Sequence, residues 1–372
     1  TPQGFRAAGV VAGLKSSGSK DVAVVVNDGP LTAAAGVFTR NRVKAAPVLW
    51  SQQVLKAGAV RAVVLNSGGA NACTGPDGFL DTHRTAEHLA GALEIGAGEV
   101  AVCSTGLIGQ RLPTDTLFAG VDAAVAGLSA DGGGDAAAAI MTTDSVPKTA
   151  EAVRGGWSVG GMAKGAGMLA PSLATMLVVV TTDAVADADT LDRALRAATR
   201  VTFDRVDSDG CTSTNDTVLL LASGASGETP AYADLESAVT EVCASLARQL
   251  VADAEGASKD VRIEVVNAAT EDDAVEAGRA ISRANLVKCA IHGGDPNWGR
   301  ILAELGMTSA AFEPDAVDVA INGVWVCRDG ATGEDRTLVD MSGREVTITI
   351  DLRSGKESAT VWTNDLTAAY VH

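Results

Sequence analysis

The stretch KGAGMLAPSLAT, residues 164–175, runs from a lysine through a glycine-rich turn to a threonine, and the apolar run MLVVV at residues 176–180 follows it. Glycines allow the backbone to adopt positive φ and to approach other groups closely. A strand holds a side chain at its first position on a rigid element. The pattern favours a strand that presents Thr175 as a nucleophile. The protein itself would cleave the peptide bond between Ala174 and Thr175.

Cleavage before Thr175 would give this threonine its own base. A threonine hydroxyl is a weak nucleophile at neutral pH, whereas a free α-amine has a pKa of about 7.7 to 8.0 and lies within a few bonds of that hydroxyl. One residue would then supply both nucleophile and base. The alternative is an ordinary strand residue, because threonine is common in strands and glycine-rich loops often precede them.

Short blocks in other parts of the chain extend this pattern. They are STG at residues 104–106, MTTD at 141–144, KGAGMLAPSLATML at 164–177, DAEG at 253–256 and GDPNWGR at 294–300. In this order the blocks resemble the ornithine acetyltransferase family of arginine biosynthesis. The resemblance implies a precursor that cleaves itself before Thr175 into an α chain, residues 1–174, and a β chain, residues 175–372. It also implies an assembly of two α and two β chains.

The charge of the chain limits its partners. A formal net charge of −17 over 372 residues argues against nucleic acid or an anionic membrane, because phosphate binding requires clustered Lys and Arg. The apolar runs are far shorter than the ~20 residues that span a bilayer. The N-terminal residues lack the pattern of a secretory signal. We therefore expect a cytoplasmic protein that acts on small molecules.

The cysteines and histidines do not indicate a metal site. Six cysteines and four histidines are scattered without a zinc-ligand spacing. The cysteines are expected to be reduced, since a chain of this length does not need disulfides. Neither a metal nor a cofactor is expected. The sequence also contains no GxSxG block, which disfavours a hydrolase with a Ser-His-Asp triad.

Short apolar runs alternate with helical patterns, which favours an α/β or α+β fold. Strands are predicted at residues 22–26, 63–66, 100–103 and 157–162, the last in a hairpin that leads to the Thr175 strand. Apolar residues at helical spacing predict helices over residues 117–128 and 235–250. The polar SADGGGD segment, residues 129–135, is predicted as a surface loop. The resemblance implies a stacked α/β/β/α sandwich of the self-processing N-terminal-threonine acyltransferase type.

Near residue 256 the helical spacing of apolar residues ends and an alternating, strand-like pattern begins. This change predicts a smaller C-terminal α/β domain over residues 256–372. Residues 175–255 would then be the part of the β chain that carries the nucleophile strand. Within the smaller domain, alternation and apolar runs predict strands at residues 261–265, 286–291, 317–321 and 346–352 and a helix at 272–284.

Acyl transfer through Thr175 passes through a tetrahedral oxyanion, so hydrogen-bond donors must point at the developing charge. Thr105 and Gly106 follow a predicted strand, and they offer a hydroxyl donor and an amide that can approach closely. The resemblance assigns these two positions to oxyanion stabilisation. The alternative is a plain turn after a strand.

Three further residues match substrate-binding positions of the family. Lys164 would provide a fixed cation for the carboxylate of an amino acid, although an exposed lysine is unremarkable on an acidic protein. Thr142 would contact substrate, although it could simply end a helix. Glu255 is predicted in the last turn of a helix, where the macrodipole disfavours a carboxylate by about 1 kcal/mol or less. Its role would be to hold an ammonium group, and the alternative is a solvated glutamate.

Three further loops contain residues that could bind a ligand or only form turns. The LNSGGANACTG loop, residues 65–75, could form an anion-binding nest or a plain turn. In GDPNWGR, the proline and asparagine fit the start of a helix, and Arg300 could contact a carboxylate. The FDRVDSDGCTSTND segment, residues 203–216, lacks the spacing of an EF-hand and is predicted as a loop.

The function expected from these observations is a ping-pong acetyltransferase. Thr175 would take the acetyl group from N2-acetylornithine and pass it to glutamate. Acetyl-CoA could serve as a second donor substrate. One alternative is a related self-cleaving aminopeptidase or amidase that uses water as acceptor, and another is a non-catalytic protein that never cleaves. Family members usually continue past the position of His372 with a short tail that contributes an asparagine to the substrate site.

Overall fold

The computed structural model describes residues 1–168 and 176–372, which form two compact units. Unit 1 comprises residues 1–166, 176–204 and 212–250, and unit 2 comprises residues 167–168, 205–211 and 251–372. Each unit has its own sheets and its own buried apolar core. Across the described chain, every helix is too short or too polar to cross a bilayer. The predicted cleavage site between Ala174 and Thr175 lies outside the described residues.

Two sheets form the centre of unit 1. Their strands, in chain order, are β1 Phe5–Val10, β2 Val22–Asn27, β3 Ala34–Phe38, β4 Ala62–Asn66, β5 Val100–Ser104, β6 Lys148–Val153, β7 Ser158–Lys164, β8 Leu177–Thr182 and β9 Thr217–Ala222. The first sheet has the strand order β1-β2-β4-β5, and the second has the order β3-β9-β8-β7-β6.

The two sheets face each other, because Val25 and Leu65 of the first share one buried cluster with Leu177 and Leu219 of the second. The helices of this unit are α1 Ala46–Leu55, α2 Gly75–Leu93, α3 Thr114–Ala126, α4 Gly133–Ala139, α5 Ala188–Val201 and α6 Tyr232–Ala252. Helices α2 and α3 cover the outer face of the first sheet. Helices α5 and α6 cover the second sheet. The predicted α/β/β/α sandwich is confirmed.

Strand β8 occupies the middle of the second sheet. It pairs antiparallel with β7 and parallel with β9, in a register that places Leu177 beside Lys164 on one side and beside Thr217 on the other. All six residues of β8 are buried. A strand covered on both faces is expected to be apolar throughout, which explains its sequence. The predicted hairpin into this strand is confirmed by the β6-β7-β8 succession.

Unit 2 is built on a third sheet. Its strands are β10 Asp260–Ala268, β11 Asp318–Ile321, β12 Val324–Arg328, β13 Ala331–Thr332, β14 Glu345–Asp351 and β15 Glu357–Asn364, in the order β13-β12-β11-β14-β10-β15. The helices α7 Glu271–Arg283, α8 Asn285–His292 and α9 Trp298–Leu305 contribute to the core of this sheet.

Two local predictions are wrong. Residues 286–291 form helix α8 rather than a strand: Val287, Ala290 and Ile291 are buried while Leu286 and Cys289 are exposed, which is a helical spacing. The SADGGGD segment is only partly a loop. Helix α4 begins at Gly133, because burial of the alanines that follow stabilises a helix that the glycines alone would disfavour.

The helical assignment of residues 285–292 leads to a stability prediction for unit 2. Leu305 on α9 is 0% exposed and Leu286 on α8 is 61% exposed. We expect Leu305→Ala to lower the free energy of unfolding by about 2–5 kcal/mol, because it leaves a cavity in the core. Leu286→Ala should change it by about 0.5 kcal/mol or less. Urea unfolding midpoints of the two variants check this. A comparable loss of stability in Leu286→Ala would contradict the exposed position of Leu286 on helix α8.

Candidate active site

The side chain of Lys164 brings together three residues that are far apart in the sequence. Lys164 is the last residue of β7 and is only 1% exposed. Its Nζ donates to the Thr105 Oγ1 at 2.9 Å and to the Thr142 Oγ1 at 2.7 Å. The structure therefore places Lys164, Thr105 and Thr142 in one buried cluster of unit 1.

Burial changes the acidity of Lys164. Loss of hydration lowers the pKa of its ammonium group to about 8, and the charge of Lys148 adds to this effect. The carboxylate of Asp144 acts in the opposite direction. Near neutral pH the group is still predominantly protonated, so it can hold an anion.

Asp144 is the counterion of two buried lysines. Its Oδ2 accepts from the Lys148 Nζ at 2.5 Å and from the Gly165 amide at 2.8 Å, and its Oδ1 accepts from the Thr142 amide at 3.2 Å. Burial alone would raise the pKa of Asp144, but Lys164 and Lys148 outweigh burial and the pKa is lowered. An ionised Asp144 thus fixes the backbone of Thr142 and the backbone that follows Lys164.

The turn at Thr105 and Gly106 is held by a neighbouring loop, residues 66–74. The Thr105 amide donates to the Asn66 carbonyl at 3.0 Å. Gly106 has a φ of +134°, and a Cβ there would lie 2.8 Å from the Cα of Gly69. Any residue larger than glycine would push the two loops apart. This loop, for which the sequence allows an anion-binding nest or a plain turn, supports the Thr105 turn with its backbone.

This turn can donate hydrogen bonds to an anion. The Thr105 hydroxyl already accepts from Lys164, so its own proton is free to be donated elsewhere. In the part of the chain that the structure describes, the Gly106 amide has no acceptor. A hydroxyl, an amide and the nearby ammonium group together suit a carboxylate or a developing oxyanion.

The segment before β9 completes the cluster. The Asn215 Nδ2 donates to the Ala70 carbonyl at 2.6 Å and to the Ser104 carbonyl at 2.8 Å, which ties two loops together. The next residue, Asp216, is fully buried, and its Oδ1 accepts from the Met176 amide at 3.0 Å. The predicted nucleophile, Thr175, lies outside the described residues, and Met176 is joined to it by a peptide bond.

Glu255 belongs to unit 2 and lies beyond the helix that was predicted to contain it. Helix α6 ends at Ala252, so the expected penalty from the helix dipole does not apply. The Glu255 carboxylate lies against Gly167, where a Cβ would collide with it. In the same unit, the Asp209 Oδ2 accepts from the Met168 amide at 2.8 Å and from the Tyr370 hydroxyl at 2.9 Å.

The GDPNWGR loop, residues 294–300, has a structural role. Asn297 caps α9 by accepting from the Arg300 amide at 3.1 Å, as the sequence predicted. The Arg300 guanidinium donates to the Leu286 carbonyl at 2.7 Å. Within residues 1–168 and 176–372, no three His, Cys, Asp or Glu side chains are grouped so that they could share a metal ion.

The chain is similar to known proteins over almost its whole length. The sequence profile of the ArgJ family matches residues 6–372. The chain belongs to the ArgJ family. This confirms the resemblance that the sequence blocks indicated.

Two relatives show how close the match is. The arginine biosynthesis bifunctional protein ArgJ of Streptomyces avermitilis is 70% identical over 370 residues, which cover 100% of this chain and 97% of that protein. The protein of the same name from Mycobacterium tuberculosis is 60% identical over 378 residues, with coverages of 100% and 94%. A solved structure of ornithine acetyltransferase with ornithine, from M. tuberculosis, is 66% identical with a TM-score of 0.46, covering 47% of this chain and 94% of that one.

The sequence alone does not single out Asp144, Lys148 or Asp216 in this ArgJ-family chain. Asp144 lies in the MTTD block, and Lys148 follows it by four residues, but nothing in the sequence indicates that this pair is buried. Asp216 falls in the predicted loop over residues 203–216, together with three other aspartates. Its position at the start of an apolar strand was the only available signal, because a carboxylate at that point is buried with the strand.

We expect Asp144→Ala to destabilise the protein strongly. Removal of one partner of a buried ion pair leaves an uncompensated charge and typically costs about 3–5 kcal/mol. The matched control is Asp28→Ala, which removes a carboxylate that pairs with Arg6 at 2.7 Å on the surface. An exposed pair contributes about 1 kcal/mol or less. Urea unfolding at neutral pH gives the free energy of unfolding of both variants. Equal losses of stability would show that Asp144 does not stabilise the buried charges of Lys148 and Lys164.

The lowered pKa of Lys164 predicts how stability depends on pH. Because its pKa is about 8 in the folded chain against 10.5 for an ordinary lysine, the unfolded chain binds more protons between these values. The contribution of Lys164 to stability must therefore rise with pH in this window. We expect the stability of the wild type relative to Lys164→Met to increase from about pH 8 to about pH 10. Urea unfolding of both proteins across this pH range checks the prediction. A stability difference that does not change with pH would contradict the lowered pKa of Lys164.

Proposed function

We propose that this ArgJ-family chain is a self-processing acetyltransferase that moves an acetyl group from N2-acetylornithine to glutamate. The observation that carries the proposal is the buried cluster in which Lys164 donates to Thr105 and Thr142. A fixed cation beside two hydroxyl groups suits amino acid substrates, which carry a carboxylate. The names of the relatives, which place them in arginine biosynthesis, support the choice of ornithine and glutamate.

The proposed chemistry begins with cleavage between Ala174 and Thr175. The Thr175 hydroxyl then attacks the acetyl carbonyl, and its proton passes to the Thr175 α-amine. Collapse of the tetrahedral intermediate breaks the C–N bond, and the α-ammonium returns the proton to the leaving amine of ornithine. Glutamate enters through its own amine, takes the acetyl group from the threonine ester and leaves as N-acetylglutamate.

The remaining residues have proposed roles in binding and in charge stabilisation. The Thr105 hydroxyl and the Gly106 amide would donate to the oxyanion, and removal of one such donor typically costs about 10²–10³ in kcat. Lys164 and Thr142 would hold the substrate carboxylate. For Glu255, the proposed role is to accept hydrogen bonds from an ammonium group of ornithine.

The proposal includes a second activity and an assembly of the processed chains. The relatives are described as bifunctional, which favours a second activity, namely synthesis of N-acetylglutamate from acetyl-CoA and glutamate. Acetyl-CoA would then act as a substrate rather than as a resident cofactor. The processed α and β chains are proposed to assemble as α2β2.

The mass of the denatured protein before and after exposure to N2-acetylornithine tests the proposal. We expect two chains, separated between Ala174 and Thr175, and addition of one acetyl group to the β chain alone. Thr175→Ala should abolish both cleavage and transfer. The matched control is Thr181→Ala, which changes the same residue type in β8 and should preserve both.

The acceptor distinguishes transferase from hydrolase. Ornithine release should depend on glutamate after the first turnover, because the threonine ester waits for an amine acceptor. Release of free acetate at an unchanged rate without glutamate would favour the aminopeptidase or amidase alternative. An uncleaved, unacetylated chain would overturn the proposal.

A further inference from the structure

The peptide group between Met141 and Thr142 is held at both ends by charged side chains of unit 1. The Met141 carbonyl accepts from the Lys15 Nζ at 2.5 Å, and the Thr142 amide donates to the Asp144 Oδ1 at 3.2 Å. The cation thus lies at the negative end of the peptide dipole, and the carboxylate lies at its positive end. Hydrogen bonds to ionised groups are stronger than neutral ones, so these two side chains fix the orientation of the peptide.

This orientation determines where the Thr142 hydroxyl points. The peptide lies in an irregular segment between α4, which ends at Ala139, and β6, which begins at Lys148. The Thr142 Oγ1 accepts from the Lys164 Nζ at 2.7 Å, although the residue as a whole is exposed. Rotation of the preceding peptide would move this hydroxyl away from Lys164. Lys15 therefore acts on the candidate site through a backbone carbonyl.

The loop that carries Lys15 is organised by a buried carboxylate. Asp21 is 0% exposed. Its oxygens accept from the backbone amides of Ala12 at 2.6 Å, Gly13 at 3.2 Å, Leu14 at 2.6 Å and Lys15 at 3.0 Å. Successive amides that converge on one anion form a nest, which fixes the backbone of the loop. The Lys15 Nζ also donates to the Lys20 carbonyl at 3.1 Å, so the ammonium group is preorganised.

The same loop contacts the loop that holds the proposed oxyanion turn. A Cβ at Gly68 would lie 2.4 Å from the Leu14 Cβ, so the two backbones approach closely there. The Ser67 amide donates to the Asp21 carbonyl at 3.0 Å. The Lys15 loop thus contacts the candidate site on two sides, and Lys15 is the residue that reaches Thr142.

Lys15 also belongs to the same group of charges as Lys164. Burial lowers the pKa of the Lys15 ammonium group, and the carboxylates of Asp21 and Asp144 oppose this effect. The charge of Lys15 in turn contributes to the lowered pKa of Lys164. A lysine fully surrounded by water would not have these interactions.

We propose that Lys15 is a positioning residue for substrate binding. By holding the Met141 carbonyl, it keeps the Thr142 hydroxyl and the Lys164 ammonium group in the arrangement that binds the carboxylate of an amino acid. The inference rests on the proposed function, in which Thr142 and Lys164 hold this carboxylate. The alternative is a lysine that only stabilises the end of α4, since a cation interacts favourably with the last carbonyls of a helix.

The test compares a substrate that has this carboxylate with one that lacks it. N-acetyl-1,4-diaminobutane is N2-acetylornithine with hydrogen in place of the carboxylate. The wild type should prefer N2-acetylornithine, because a site built to bond a group rejects an analogue without it. In Lys15→Met we expect the ratio of the two kcat/KM values to fall by about tenfold or more. A purely structural role would lower both values by the same factor and leave the ratio unchanged.

Product inhibition gives the same comparison from binding alone. Ornithine and 1,4-diaminobutane are the amines that the two substrates release. In Lys15→Met, the inhibition constant of ornithine should rise by about tenfold, and that of 1,4-diaminobutane should be unchanged. An equal rise in both constants would contradict a role in binding the carboxylate.

The matched control is Lys20→Met. Lys20 follows in the same part of the chain, and its Nζ pairs with the exposed carboxylate of Asp135. The substitution retains the backbone carbonyl that accepts from Lys15. Lys20→Met should therefore keep the wild-type ratio of kcat/KM values. An equal fall of the ratio in Lys20→Met and Lys15→Met would overturn the inference.

The wild type distinguishes failure of the inference from failure of the proposed function. An active wild type whose preference is unchanged in a folded Lys15→Met would reject the role of Lys15 alone. A wild type that transfers no acetyl group from N2-acetylornithine would reject the proposed function, and the inference with it.

The thermal midpoint shows whether Lys15→Met is folded. If this variant is unfolded, Lys15→Gln takes its place under the same criteria, because glutamine removes the charge and retains similar bulk. Loss of the fold in both variants would show that Lys15 serves the stability of unit 1 and would overturn the inference.

Discussion

The buried ammonium group of Lys164 is the interaction on which the site in unit 1 depends. Taking this charge out of water is costly, and the neighbouring Asp144 carboxylate and two hydroxyl groups compensate for part of that cost. Since Asp144 also pairs with Lys148, one carboxylate serves two buried cations. This arrangement supports the proposed binding of substrates that carry a carboxylate.

Two adjacent residues organise the rest of the site from the start of β9. Asn215 bonds to the carbonyl groups of Ala70 and Ser104, and so fixes the turn that contains Thr105. Asp216 bonds to the Met176 amide, and so fixes the residue that precedes β8. The two side chains link the turn proposed to stabilise an oxyanion with the start of strand β8.

Much of this arrangement could be predicted from the sequence, because the decisive pattern is local. The apolar run after Thr175 and the glycine-rich turn before it predicted strand β8 and its hairpin. The short blocks predicted the family and placed Lys164, Thr105 and Thr142 in a common site. The structure brings these three side chains together.

Other features could not be predicted, because they depend on contacts between distant segments. Burial of Asp144 and Asp216 follows from sheet packing, and no local pattern indicates it. Residues 286–291 look like a strand because all of them except Lys288 are apolar, and only the core of unit 2 selects the helical spacing. Glu255 was placed in a helix because the apolar period of α6 continues close to it, whereas the helix ends at Ala252.

The two hydroxyl groups that accept from Lys164 also determine which molecules the site rejects. An ammonium group has three N–H donors, and two of them bond to Thr105 and Thr142. Water is largely excluded from a group this deeply buried, so a ligand that offers this group no acceptor oxygen leaves the remaining donor unsatisfied. If a substrate carboxylate binds here as proposed, discrimination against a ligand that lacks this acceptor arises from an unpaired donor rather than from steric exclusion, and such losses are larger than those from a missing apolar contact.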